Sequence, residues 1–151
     1  MHILITGGTG LIGTALSEQF RRQGHDVTVW TRRPHDPAGG VVYVTALEDC
    51  AEPIDMVVNL AGANLAERRW SRSYKAEIRR SRIDLTEHLI AWMRSCSRLP
   101  RRLISASAIG YYGVSEDETF DETSTSGHGF AAELCSDWEQ AARSAADHGV
   151  E

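Results

Sequence analysis

Cysteine is scarce: Cys50, Cys96 and Cys135 are odd in number, far apart, and form no CxxC. That argues against a disulfide framework and against a thiolate metal site, leaving three small side chains best read as reduced and buried. The six histidines show no HxxxH or HExxH spacing, so a histidine-held metal is not expected. No apolar run approaches membrane-spanning length, and the first residues enter a strand without a basic region, a signal core or a cleavage site. The expectation is a cytoplasmic protein with no membrane partner. Lysine occurs once, at Lys75, and no glycine-rich stretch ends in the GK[ST] of a P-loop, which disfavours P-loop nucleotide hydrolysis.

What is present suits an ordinary globular chain of 151 residues, long enough for one domain with a real core. The net charge of −5 is unevenly placed: Glu116, Asp117, Glu118, Asp121 and Glu122 share one segment with no basic residue. The stretch from Glu67 to Arg102 is arginine-rich, but its arginines alternate with apolar helix positions and lack an aromatic stacking platform. A solvated, partly ion-paired helix face is expected there, not a nucleic-acid partner.

The chain is organised around its first thirteen residues, MHILITGGTGLIG. A short apolar run precedes glycines at Gly7, Gly10 and Gly13, which reads as a strand, a tight turn and the start of a helix. Glycine lets a ligand approach the backbone closely, and the helix presents unpaired N–H groups and the positive end of its dipole. That arrangement binds phosphate, and GxxGxxG in this context is a variant of the dinucleotide fingerprint. The alternative is a turn whose glycines serve packing alone.

Ile3 to Ile5, apolar on both sides, suits a central parallel strand. Leu11, Ile12, Ala15, Leu16 and Phe20 fall on one helical face, with Gly24 at the expected C-terminal cap. Further strands are expected at Val27–Trp30, Val41–Val44, Met56–Leu60 and Leu103–Ala106, with turn-forming residues from Pro34 to Gly40. A long helix is predicted from about Ser71 to Ser97, its stripe marked by Ile78, Leu85, Leu89 and Trp92, with Ile83, Ile90 and Met93 widening it. Arg82 falls on that stripe, where it can snorkel to solvent, form a buried ion pair or contact a ligand. Phe130, Leu134 and Trp138 mark a last helix after a long glycine- and serine-bearing loop, and long loops at the carboxyl ends of parallel strands commonly carry function. The alternation predicts a right-handed, doubly wound parallel α/β sheet of order 3-2-1-4-5, with the ligand in the crevice beside strand 1. Residues 1–151 are expected to form one nucleotide-binding domain, the amino-terminal portion of a longer protein, lacking a sixth strand and a substrate domain.

ITGGTGLIG, NLAGAN after the fourth strand, RRWSRSYKAEIRRSR, and SASAIGYYG after the fifth resemble the extended short-chain dehydrogenase/reductase superfamily. The resemblance is narrower still to its nucleoside-diphosphate-sugar epimerase branch, and it covers nearly the whole chain in order. It implies a Rossmann-type domain with helices on both faces, a nicotinamide cofactor, and a small-molecule substrate such as a nucleotide-linked sugar. The fingerprint positions it places on the cofactor are Gly7, Thr9, Gly10, Leu11, Ile12 and Gly13, with Leu60, Ala61 and Gly62 closing over the adenine ribose.

Cofactor choice follows from the end of the second strand. An NAD site usually has Asp or Glu there for the ribose 2′-hydroxyl, whereas arginine suits the 2′-phosphate of NADP. This chain reads Trp30-Thr31-Arg32-Arg33, with no carboxylate. Guanidinium groups bind phosphate through paired, charge-assisted bonds, so NADP(H) is expected, held near Thr31 by Arg32 first and Arg33 second.

In the superfamily a tyrosine transfers the proton, a lysine four residues later lowers its pKa and holds the ribose, and a serine orients the substrate oxygen. Ser107 matches the serine, with Ser105 as the alternative. The rest is missing: no YxxxK exists in this chain, and aligning the last helix puts Ala131 and Cys135, or Phe130 and Leu134, at the paired positions. Three repairs remain open. Tyr111 or Tyr112, on the loop of Ser107, can serve as the acid; Lys75 or Arg82 can supply a cation; or the protein binds its cofactor without turnover, as an NADP(H) sensor or interaction module.

Overall fold

The computed structural model describes residues 1–37, 39–51 and 53–151; Ala38, within the predicted Pro34–Gly40 turn, and Glu52 lie outside them. Five parallel strands form one sheet: β1 (His2–Thr6), β2 (Asp26–Trp30), β3 (Val41–Val44), β4 (Met56–Asn59) and β5 (Arg102–Ser105). Their order is β3-β2-β1-β4-β5, the doubly wound order that the sequence predicts. In register, Thr6 stands between Trp30 and Asn59, so the three segments that leave β1, β2 and β4 emerge side by side.

The central strand is buried on both faces because its residues alternate between two cores. Leu4 joins Val57, Leu89 and Met93 on one side, while Ile3 and Ile5 join Val27, Val29 and Val58 on the other, with Leu16 and Phe20 packed against them. Ile3, Leu4 and Ile5 are each 0 % exposed, and burial of such a side chain is worth about 1.5–3 kcal/mol. The helix α1 (Leu11–Arg22) covers the second face; α3 (Ile83–Ser95) and α4 (Phe130–Arg143) pack together on the first.

Two expectations need correction. On α1 the predicted apolar face is only partly used: Leu16 and Phe20 are packed, but Leu11 is 93 % and Ile12 64 % exposed. The residues of α1 that are buried are Gly13 and Ser17. The first turn contacts the glycine turn itself, as a β-carbon at position 13 would lie 2.3 Å from the Gly7 oxygen, and only glycine permits that approach.

The predicted long helix is two: α2 (Arg72–Arg80) and α3. Ser81 interrupts it, its hydroxyl donating to the Ile78 carbonyl at 2.9 Å and accepting the Ala63 N–H at 2.9 Å, while the Arg82 N–H bonds back only three residues, to Arg79. Neither glycine nor proline marks the break, so periodicity runs through it. α2 begins at Ser71, whose hydroxyl accepts the Tyr74 N–H. At the far edge, the Glu151 N–H bonds to the Arg101 carbonyl and the Leu103 N–H to the Glu151 carbonyl, so the last residue lies along β5. Among the described residues no helix is long and apolar enough to cross a membrane.

Candidate functional site

The carboxyl ends of β1, β2 and β4 open into a cavity of about 420 Å³. Thr6 fixes its floor. Its hydroxyl donates to Asn59 Oδ1 at 2.7 Å and accepts the N–H groups of Leu60 and Ala61, each at 3.1 Å, so all three of its bonding positions are used. Asn59, 0 % exposed, passes its two amide hydrogens to Thr86 Oγ1 at 2.8 Å and Ser105 Oγ at 3.2 Å. Thr86 also accepts from Trp138 Nε1 and donates to the Arg82 carbonyl. This buried network holds the Leu60–Gly62 segment against the glycine turn, where a β-carbon on Gly7 would come within 2.8 Å of the Leu60 carbonyl.

The three fingerprint glycines have different reasons. Gly7 has φ +68, and Gly13 is pressed against Gly7 and Gly8, so the protein's own backbone requires both. Gly10 has φ −82, and a β-carbon there would meet only the Gly7 oxygen, at 3.3 Å. Gly10 itself lines the cavity. Gly10 also caps α1 without a side-chain bond, and the first turn holds no acidic residue, so the helix's free N–H groups and dipole remain available for an anion. The residues present therefore fit a pyrophosphate.

Of the predicted cofactor residues, Gly7, Thr9, Gly10, Thr31, Arg32, Leu60, Ala61 and Gly62 line the cavity. Leu11, Ile12 and Gly13 form the first turn of α1 behind it, and Arg33 is exposed outside it. Trp30, Thr45, Arg80 and Leu85 also line it, none of which the sequence singles out for this place. Arg80 is hidden in the run Arg79-Arg80-Ser81-Arg82, and as the last residue of α2 it lines the same cavity as Arg32. Among the described residues the lining carries two arginines and no acidic side chain.

Ser107, Tyr111 and Tyr112 come together elsewhere, in a depression of about 380 Å³ that shares no lining residue with the cavity. Ser107 donates to Glu139 Oε1 at 2.6 Å, and Glu139 pairs with Arg143 at 3.0 Å. The rings of Tyr111 and Tyr112 meet edge to face, and Tyr112 stacks on Phe120. Lys75 lies over the Phe130 ring, 4.8 Å from its centroid, in a groove of about 660 Å³ that also contains Tyr112 and Ala131. Cys135 is buried on α4, and burial pushes its thiol pKa up, which suits an inert side chain. Among the described residues no group of three or more His, Cys, Asp or Glu side chains is placed to hold a metal.

Arg82 does not snorkel freely, and it forms no ion pair among the described residues. Half-buried at the junction of α2 and α3, it donates to the carbonyls of Ala63 at 3.1 Å and Ile78 at 3.5 Å and to Ser81 Oγ at 3.4 Å. Its Cζ lies 5.4 Å from the centroid of the Trp138 ring. Tyr74, 3 % exposed, donates its hydroxyl to the neighbouring Asn64 carbonyl and so ties down the same loop.

Comparison with known proteins agrees with this architecture. The model of the NAD dependent epimerase/dehydratase family matches residues 3–146. An epimerase family protein of Mycobacterium bovis is 41 % identical over 156 residues, covering 98 % of this chain and 50 % of its own length. The crystal structure of human epimerase family protein SDR39U1 (isoform 2) with NADPH superposes with a TM-score of 0.82 at 33 % identity, over 95 % of this chain and 49 % of that one. A nucleoside-diphosphate sugar epimerase from Corynebacterium glutamicum gives a TM-score of 0.80 at 35 % identity, over 99 % of this chain and 32 % of that one. The chain spans about half the length of the curated relatives it matches.

Proposed function

The chain belongs to the NAD dependent epimerase/dehydratase family, and from that premise we propose that it is the NADP(H)-binding domain of an epimerase-type oxidoreductase. One observation carries the cofactor choice: among the described residues the cavity on the glycine turn is lined by Arg32 and Arg80 and by no carboxylate. A 2′-phosphate placed between two guanidinium groups gains charge-assisted bonds that a 2′-hydroxyl cannot match. The human relative whose structure contains NADPH supports the same choice. Gly10 and the first turn of α1 hold the pyrophosphate, Arg32 and Arg80 take the 2′-phosphate, and Trp30, Thr45 and Leu85 flank the adenosine half, with Leu60 and Ala61 against its ribose and Gly62 at the end of the cavity where the other nucleoside leaves it.

When bound, NADP supplies hydride exchange at a carbinol carbon. The proposed substrate is a nucleotide-linked sugar, a class supported by the name of the Corynebacterium relative. Ser107 orients the substrate oxygen, and Tyr111 or Tyr112 acts as the acid from the same loop.

A second reading, a binding module without turnover, is favoured by the separation of those three residues from the cofactor cavity. The two readings divide on one experiment with the protein: NADP+ is incubated with a panel of sugar nucleotides while reduced nicotinamide and epimerised sugar are both followed. Turnover that falls in Ser107→Ala and in one of Tyr111→Phe or Tyr112→Phe supports the enzyme. NADPH binding without turnover across the panel supports the module, and no NADPH binding contradicts both.

A further inference from the structure

We propose that Arg82 is a dinucleotide-binding residue whose guanidinium takes the sugar hydroxyls of the ligand's second, non-adenosine half; this rests on the NADP(H) reading of the cavity. The strand order gives the direction. The glycine turn follows β1, Arg32 follows β2 on one side of it, and Gly62 follows β4 on the other. A dinucleotide with its pyrophosphate on α1 and its adenosine half reaching Arg32 has its other nucleoside running the opposite way, across β4.

The Arg82 guanidinium stands beside that path, against Gly62. Gly62 is exposed and lines the cavity, and a β-carbon there would lie 2.7 Å from the Arg82 Cζ. Glycine at 62 therefore lets the planar group lie directly against the backbone at the cavity wall. Arg82 donates to three neutral oxygens, those of Ala63, Ile78 and Ser81, which leaves two of its five N–H donors for a ligand.

Beyond the Trp138 ring, no charged partner among the described residues offsets its charge, and none of their ion pairs involves Arg82. Cys135, the group electrostatically coupled to it from α4, is held in its neutral form by burial. A half-buried cation with spare donors is stabilised by a polar ligand that completes its bonding, and its fixed fork matches a pair of vicinal hydroxyls. Arg82, at the junction of α2 and α3, thus supplies the cation missing where the resemblance puts the lysine, at Cys135 or Leu134 of α4.

Two probes separate the halves of the ligand. NADPH carries both, whereas adenosine 2′,5′-bisphosphate carries only the adenosine half. In Arg82→Gln the affinity for NADPH is expected to fall by about tenfold or more while that for the bisphosphate stays within about twofold; Arg32→Gln weakens both. Arg82→Lys, which keeps the charge but loses the fork, is expected to fall between wild type and Arg82→Gln for NADPH, and it carries the test if Arg82→Gln does not fold. Unchanged NADPH affinity, or equal loss for both probes, overturns the proposal. A wild-type protein that binds neither probe overturns the NADP(H) reading on which it rests.

Discussion

Thr6 and Asn59, facing residues of adjacent strands and 1 % and 0 % exposed, share a 2.7 Å hydrogen bond directly beneath the cavity. The asparagine also serves Thr86 and Ser105, so one side chain ties β1, β4, β5 and α3 together at the level where the site begins. Replacing Asn59 by leucine keeps the volume and takes a partner from Thr6 and Thr86, which are 1 % and 0 % exposed. The expected cost is about 2–4 kcal/mol, because each buried group left unpaired costs roughly 1–3 kcal/mol and some relax onto one another. Urea unfolding of the two proteins checks it. A loss below about 0.5 kcal/mol contradicts the role given to the network.

Gly10→Ala and Gly13→Ala should behave in opposite ways. At position 10 the added carbon meets only one oxygen at 3.3 Å, so stability should change by no more than about 1 kcal/mol, while NADPH affinity falls at least about tenfold as the methyl enters the pyrophosphate's place. At position 13 it would lie 2.3 Å from the Gly7 oxygen, and the fold itself should suffer, by about 3 kcal/mol or more. Thermal melting with and without NADPH distinguishes the two. Equal destabilisation would mean that Gly10 serves packing alone.

At the amino end of the sheet, the His2 N–H at 2.8 Å and the Arg98 guanidinium at 2.6 Å hold the Asp55 carboxyl below its ordinary pKa, against the opposing effect of burial. A depressed folded-state pKa means that the stabilisation is fully present above the unfolded value, about 3.9, and is lost as pH falls through the folded one. Asp55→Asn should therefore be less stable than wild type at neutral pH, and the gap should close below about pH 4. Denaturation midpoints at neutral and acid pH give the comparison, and a gap that widens on acidification contradicts this sign.

Much of this arrangement is legible in the residues. The alternation of Ile3, Leu4 and Ile5 between two cores, the switch to helical spacing after Gly10 and the turn at Gly24 specify the sheet and its order through local physics. The cavity is legible where its residues sit at strand ends, as with Arg32 and Leu60 to Gly62. It is not legible where a helix break decides the outcome. Ser81 stops α2 through a side-chain bond to its own preceding turn and to Ala63, next to Arg80 at the cavity and Arg82 against Gly62. A hydrophobic stripe continues through such a break. The exposure of Leu11 and Ile12 was equally hidden, because apolar spacing does not show where along a helix the sheet beneath it ends.

The most direct test of the central claim is the dissociation constant of the protein for NADPH beside that for NADH, in wild type and in Arg32→Gln. A 2′-phosphate held by two arginines predicts at least about a tenfold preference for NADPH, shrinking severalfold or more in the variant while NADH affinity hardly moves. Equal affinity for the two cofactors in wild type, or a preference for NADH, would contradict the account.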